Sequence, residues 1–189
     1  MKRLLLILIL TLSFQTWTKA DDIKDFQIEG MSIGDSALDF FSKSKIKKNK
    51  NNYYKNKKFT DVEVDNFGEL YDTISFNYKT GDKIYKIESI SGAIFYKHNI
   101  KDCFKKRDEI VKEISKVFAN TKPQDGGIVK HTGDKSGKST LSNIEFNFKN
   151  GDLIMVSCYD WSKKMPYTDH LAISFRTKDL KDFINSNPF

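Results

Sequence analysis

Proline is scarce in this 189-residue chain, at three residues, and glycine is limited to ten, which excludes collagen-like and low-complexity classes. Arginine is scarcer still relative to lysine, with only Arg3, Arg107 and Arg176. A formal charge of +7 would ordinarily raise nucleic acid as a partner. Base edges and phosphates, however, are gripped best by the bidentate guanidinium fork, which lysine does not have. The excess of Lys, Asn, Ile and Phe is also what AT-rich codon usage produces, with no function attached. Nucleic acid is therefore not expected as a partner. What the chain does have is a 39% apolar and 13% aromatic content, enough for a real core and too much for a wholly disordered polymer.

Long apolar runs are missing after residue 14. The single run near the start follows Lys2 and Arg3, extends unbroken from Leu4 to Leu10 and fades towards Phe14. Small residues at Thr18 and Ala20 precede the acidic pair Asp21-Asp22. That order predicts a secretory signal peptide over residues 1–20, cleaved between Ala20 and Asp21, and a periplasmic or extracellular mature protein. The run is too short to span a bilayer, and no later segment is apolar enough, so no transmembrane segment is expected after cleavage. No cysteine lies near the junction to carry a lipid. Loss of residues 1–20 takes the formal charge from +7 to +4, because Lys2, Arg3 and Lys19 go with them. The eight lysines between Lys43 and Lys58 have no acid among them, so the remainder of the mature chain stands at −4. The basic character is local.

The sequence repeats itself. Ile74-Ser-Phe-Asn-Tyr-Lys-Thr-Gly-Asp-Lys-Ile84 matches Ile144-Glu-Phe-Asn-Phe-Lys-Asn-Gly-Asp-Leu-Ile154 at seven of eleven positions. Apolar alternation on both sides of each Gly-Asp reads as a hairpin, with glycine supplying a positive φ. A helix is expected before each hairpin. The first is capped by Ser32, shows Ile33, Ala37, Leu38 and Phe41 on one face, and runs out in the lysine-rich stretch. The second carries Cys103, Ile110, Val111, Ile114, Val117 and Phe118 as a stripe and ends before Pro123. Strands are expected over 59–64, 72–79, 83–96, 127–131, 139–149, 153–161 and 170–177, with a closing helix from Lys178 to Asn185. The fold class is α+β, residues 21–189 forming one domain. Two tandem helix-plus-hairpin units, about 30–97 and 100–177, build one mostly antiparallel sheet with helices on one face.

The stretches Gly30-Met-Ser-Ile-Gly-Asp-Ser-Ala-Leu-Asp-Phe-Phe41, Ile100-Lys-Asp-Cys103, Asp134-Lys-Ser-Gly-Lys138 and Cys158-Tyr-Asp-Trp-Ser162 resemble those of small, uncharacterised exported proteins of AT-rich marine alphaproteobacteria. That resemblance implies export and brings no activity or site with it. The tandem layout is similar in topology to the αβββ repeats of beta-lactamase-inhibitor-protein-like folds, which speaks to fold alone.

Cys103 and Cys158 are the two cysteines, and in an oxidising compartment an even count reads first as a disulfide. Cys103 opens the helical stripe and Cys158 shares strand parity with Ile154 and Val156, so both can face one helix–sheet interface. The alternative is two buried thiols packed as small hydrophobes. There is no Cys-x-x-Cys, so redox catalysis is not expected. Gly133-Asp-Lys-Ser-Gly-Lys-Ser139 imitates a phosphate loop but has three residues between its glycines where the motif needs four, and a strand pattern follows it. It reads as a polar loop. His98, His131 and His170 form no His-x-x-x-His or Glu-x-x-His pair, so neither a metal nor another cofactor is indicated.

A catalytic site could only be assembled from dispersed residues, such as His131 or His170 with Asp134 or Asp169, and no residue stands out enough to be named. The best candidate surface is the lysine segment: Lys45, Lys47, Lys48, Lys50, Lys55, Lys57 and Lys58, with Tyr53 and Tyr54 between the charges. Its asparagines predict a loop that would attract anionic headgroups or polyanions, unless it is simply solvated. Tyr159 and Trp161 beside Asp160 could line a pocket or cover the core edge. The function read from these features is a non-catalytic periplasmic binding or protein-interaction module, its partner an envelope protein or anionic polymer. The alternatives are an envelope hydrolase with a dispersed site and an anionic-surface binder using the 43–58 segment.

Overall fold

The computed structural model describes residues 22–97 and 99–186, so the expected leader, its Ala20–Asp21 junction and His98 lie outside the described residues. Among the described residues three α-helices and eight strands follow one another: α1 (Lys43–Lys48), β1 (Lys50–Asn51), β2 (Phe59–Asp65), β3 (Thr73–Lys79), β4 (Ser89–Phe95), α2 (Ile100–Val117), β5 (Pro123–Lys130), β6 (Thr140–Asn147), β7 (Leu153–Asp160), β8 (His170–Arg176) and α3 (Lys178–Asn185). The strands form one antiparallel sheet in the order β1-β2-β3-β4-β8-β7-β6-β5. The fold is α+β.

Strand parity decides which face is which. Val62, Val64, Ile74, Phe76, Tyr78, Ile90, Leu171, Ile173, Phe175, Ile154, Val156 and Cys158 are buried, and the register puts them all on one side. Each large side chain taken out of water there contributes roughly 1.5–3 kcal/mol. Helix α2 lies over β7 and β8 on that side, burying Cys103, Ile114 and the following Phe118, while Lys105, Asp108, Lys112 and Glu113 face solvent. The opposite side carries small and polar residues at the sheet centre. Ser75, Ser91, Ser174 and Met155 lie in one row across β3, β4, β8 and β7. The helices do not share one face as expected: Phe59 has the opposite parity to Val62 and Val64, and α3 buries Leu180 and Phe183 against it on the side away from α2, with Thr177 capping α3 by accepting from the Leu180 amide.

The expected helix from Ser32 does not form. The Ser32 hydroxyl donates to the Phe26 carbonyl, and the Ser32 amide donates to the Asp35 carboxylate at 2.8 Å. Gly34 then takes φ +97, which ends any right-handed turn. What remains is a 3-10 turn over Ala37–Asp39 capped by Ser36, followed by α1, capped by Ser42. The lysine segment is thus part helix and part β1, not wholly a loop.

The expected strand over 83–96 also starts late, at Ser89. The Asp82 carboxylate accepts from the amides of Ile84 and Lys86, and Tyr85 sits at φ +54, so residues 83–86 curl away from the sheet. The two Gly-Asp turns therefore occupy different settings. Asn150-Gly151-Asp152 joins paired strands, with Asn147 opposite Leu153, whereas Thr80-Gly81-Asp82 opens a loop that returns to pairing only at Asn77–Ser89. The sequence repeat aligns β3 with β6, yet β3 is second from the β4–β8 centre and β6 is third.

Candidate functional site

All seven lysines of the proposed binding segment are exposed, but they do not form one uniform patch. The Lys45 ammonium lies 5.3 Å from the Phe41 ring and 5.5 Å from Phe67. Lys58 pairs with Asp179 at 2.7 Å. Lys47 and Lys48 end α1, where positive charge suits the helix dipole. Lys55 and Lys57 stand in the turn before β2. Lys50 points elsewhere: its ammonium lies 5.7 Å from the Tyr78 ring, beside a cavity of about 280 Å³ lined by Lys43, Lys50, Tyr78, Gly81, Asp82, Lys83 and Tyr85. Sequence reading missed this grouping. Lys83 is far from the 43–58 run in sequence, and only the loop thrown out by Asp82 and Tyr85 brings it alongside.

The imitation phosphate loop holds an anion of its own. Asp134 is buried, and one carboxylate oxygen accepts from the Ser136 hydroxyl (2.8 Å), the Ser139 amide (3.0 Å), the Ser139 hydroxyl (2.7 Å) and the Ser162 hydroxyl (2.9 Å). The other oxygen accepts from the Ser136 amide. The hydroxyls of Ser139 and Ser136, with the Ser136 amide and Ser162, hold this carboxyl well below the usual carboxylate range. The donors that a phosphate would need are already taken by a side chain.

Around it lies an aromatic cluster. Tyr159 stacks on His170 at 4.5 Å, and Trp161 meets His131 at 4.5 Å and Tyr167 at 4.6 Å. Tyr159 and His170 sit in a row with Phe95, Leu141 and Val129 on the face opposite α2, and Phe95 and Val129 are exposed. The groups available to a dispersed catalytic site have other duties. His170 Nδ1 contacts the Thr168 carbonyl at 2.8 Å, His131 Nδ1 accepts from the Gly133 amide, and Asp169 accepts from the Trp161 amide. Burial pushes both imidazoles below their ordinary value. Among the described residues no serine hydroxyl is hydrogen-bonded to a histidine ring.

The Sγ atoms of Cys103 and Cys158 lie at disulfide distance, 2.03 Å, inside the helix–sheet interface. No group of three or more His, Cys, Asp or Glu side chains able to hold a metal occurs among the described residues, and no described helix is long and apolar enough to cross a membrane. Comparison with protein-family models, with curated proteins and with solved structures gives no match.

Proposed function

We propose that this chain is an exported, non-catalytic binding module that attaches to anionic envelope surfaces through the edge built from α1, β1 and the turn before β2. The supporting observation is the state of the lysines there. Lys45, Lys47, Lys48, Lys55 and Lys57 are exposed around the α1–β1 edge, and of the seven only Lys58 enters an ion pair among the described residues. Cations concentrated on one edge of a body with net negative charge elsewhere create a local field that orients the protein on a negative surface. The commitment of His131, His170, Asp134 and Asp169 to loop and ring contacts supports a binding role over a hydrolase.

Export accords with the order of residues 1–20 and with the buried cysteine pair, which an oxidising compartment would keep bonded. On the same reading, the sheet derives from two helix-plus-three-strand units that meet at β4–β8, β2-β3-β4 and β8-β7-β6, with the sequence match of β3 to β6 displaced by one strand from that symmetry. Co-sedimentation with vesicles tests the surface reading. The protein is expected to pellet with phosphatidylglycerol-containing vesicles and to stay in solution with phosphatidylcholine alone. Equal pelleting with both, or with neither, would contradict it.

A further inference from the structure

We propose that the cavity at the end of β3 seats a phosphoryl dianion, with Lys43, Lys50 and Lys83 as its counter-charges; this rests on the anion-binding reading above and names the group recognised.

Three lysines reach one cavity of about 280 Å³ from three separate elements: Lys43 from the first turn of α1, Lys50 from β1 and Lys83 from the loop after β3. No feature of the hydrophobic core requires that convergence. Like charges brought together repel, so an arrangement of this kind is stabilised by a bound anion. Asp82 is the one acid in the lining, and its two oxygens are committed to the Ile84 and Lys86 amides. The lining carries a net charge of +2, which suits a phosphate monoester better than a carboxylate.

The second observation is independent of charge. Tyr78 lines the cavity and is only 2% exposed, with its hydroxyl buried behind the cavity surface. Tyr85 meets Tyr78 edge-on at 4.9 Å and is one of three non-glycine residues with positive φ among the described residues, at +54. That conformation is held by its carbonyl accepting from the Ala37 amide (3.1 Å) and by the Ser36 hydroxyl donating to the Ile84 carbonyl (2.7 Å). Strained backbone of this kind persists where the surroundings over-determine it, and here it sets the second ring of the cavity wall. The volume lies at the lower end of small-molecule pockets, room for a phosphate with a small organic substituent against the rings.

The test is an amide-resonance titration of the exported protein with inorganic phosphate and with glycerol 3-phosphate. Saturable shifts at Lys50 and Gly81–Tyr85 are expected, with the ester binding more tightly. Lys50→Gln/Lys83→Gln should raise the dissociation constant at least tenfold, with spectra otherwise unchanged. Lys105→Gln/Lys112→Gln, on the exposed side of α2, should leave it unaltered. Shifts that never saturate, or equal affinity in Lys50→Gln/Lys83→Gln, would overturn the proposal.

Vesicles identify the source of the phosphate. Preference for phosphatidic acid over phosphatidylglycerol, lost in the double variant, marks a lipid headgroup; tight glycerol 3-phosphate binding without that preference marks a soluble ester. If anionic vesicles bind the protein but neither phosphate compound does, the seat falls and the surface reading stands. If the phosphates bind and the vesicles do not, the surface reading falls and the seat stands.

Discussion

Cys103 on α2 and Cys158 on β7 approach with their Cα atoms 6.0 Å apart, clasping the helix to the sheet beside Leu171 across a separation of 55 residues. A bond there restricts the unfolded chain far more than a short loop would, and the chain-entropy model assigns it about 4 kcal/mol. Cys103→Ser/Cys158→Ser is expected to lower the denaturant midpoint with a loss of about 2–5 kcal/mol. Equal stability of the oxidised protein and the double variant would show that the pair contributes nothing.

Asp134 organises the 133–139 loop and ties it to Ser162. Its folded-state pKa is lowered, so its contribution is present above the unfolded value near 3.9 and is lost as pH falls through the folded value. Asp134→Asn should therefore lower Tm at neutral pH, and the gap to the wild type should shrink below about pH 4. A pH-independent gap would mean that the carboxylate charge is not what the serines recognise.

Asp179, in the first turn of α3, accepts from Lys58 at 2.7 Å and from Lys79 at 2.8 Å, which holds its carboxyl at about 2. The groups are substantially exposed, so the pairs together contribute no more than about 1 kcal/mol. Asp179→Asn should cost that little, and raised salt should shrink the cost further. A loss several times larger, insensitive to salt, would mean that the side chain acts through packing.

Tyr54 lies against Phe183 at 5.0 Å, and burial, assisted by Asp61, pushes its phenol up to about 12. Tyr71 reaches about 12 by burial and by the nearby Glu29. Spectrophotometric titration should show a late-ionising component that diminishes in Tyr54→Phe. If the titration curve of Tyr54→Phe loses a component near the ordinary value of 10 instead, Tyr54 is not packed under α3.

The second half of the chain was far more legible than the first. From Ile100 onward, apolar spacing gives α2, the alternating runs give β6, β7 and β8, and the Lys178–Asn185 helix has the predicted ends. The first half misleads because local polar groups outcompete the regular pattern. Ser32 and Asp35 have the spacing of a capping box, but they close a turn, and Gly30 and Gly34 at positive φ were the available signal. Likewise Asp82 captures the Ile84 and Lys86 amides before they can join a strand. The lysine cavity could not be read from the sequence at all, since it depends on that diverted loop folding back beside β1.

The most direct measurement is the dissociation constant for phosphatidylglycerol vesicles as ionic strength rises, for the wild type and for Lys47→Gln/Lys48→Gln/Lys55→Gln/Lys57→Gln. Attachment by exposed cations predicts affinity that falls steeply with salt, and a variant both weaker and less salt-sensitive, because the Debye length contracts from about 10 Å at 0.1 M to about 3 Å at 1 M. Identical salt curves for the two proteins would contradict it.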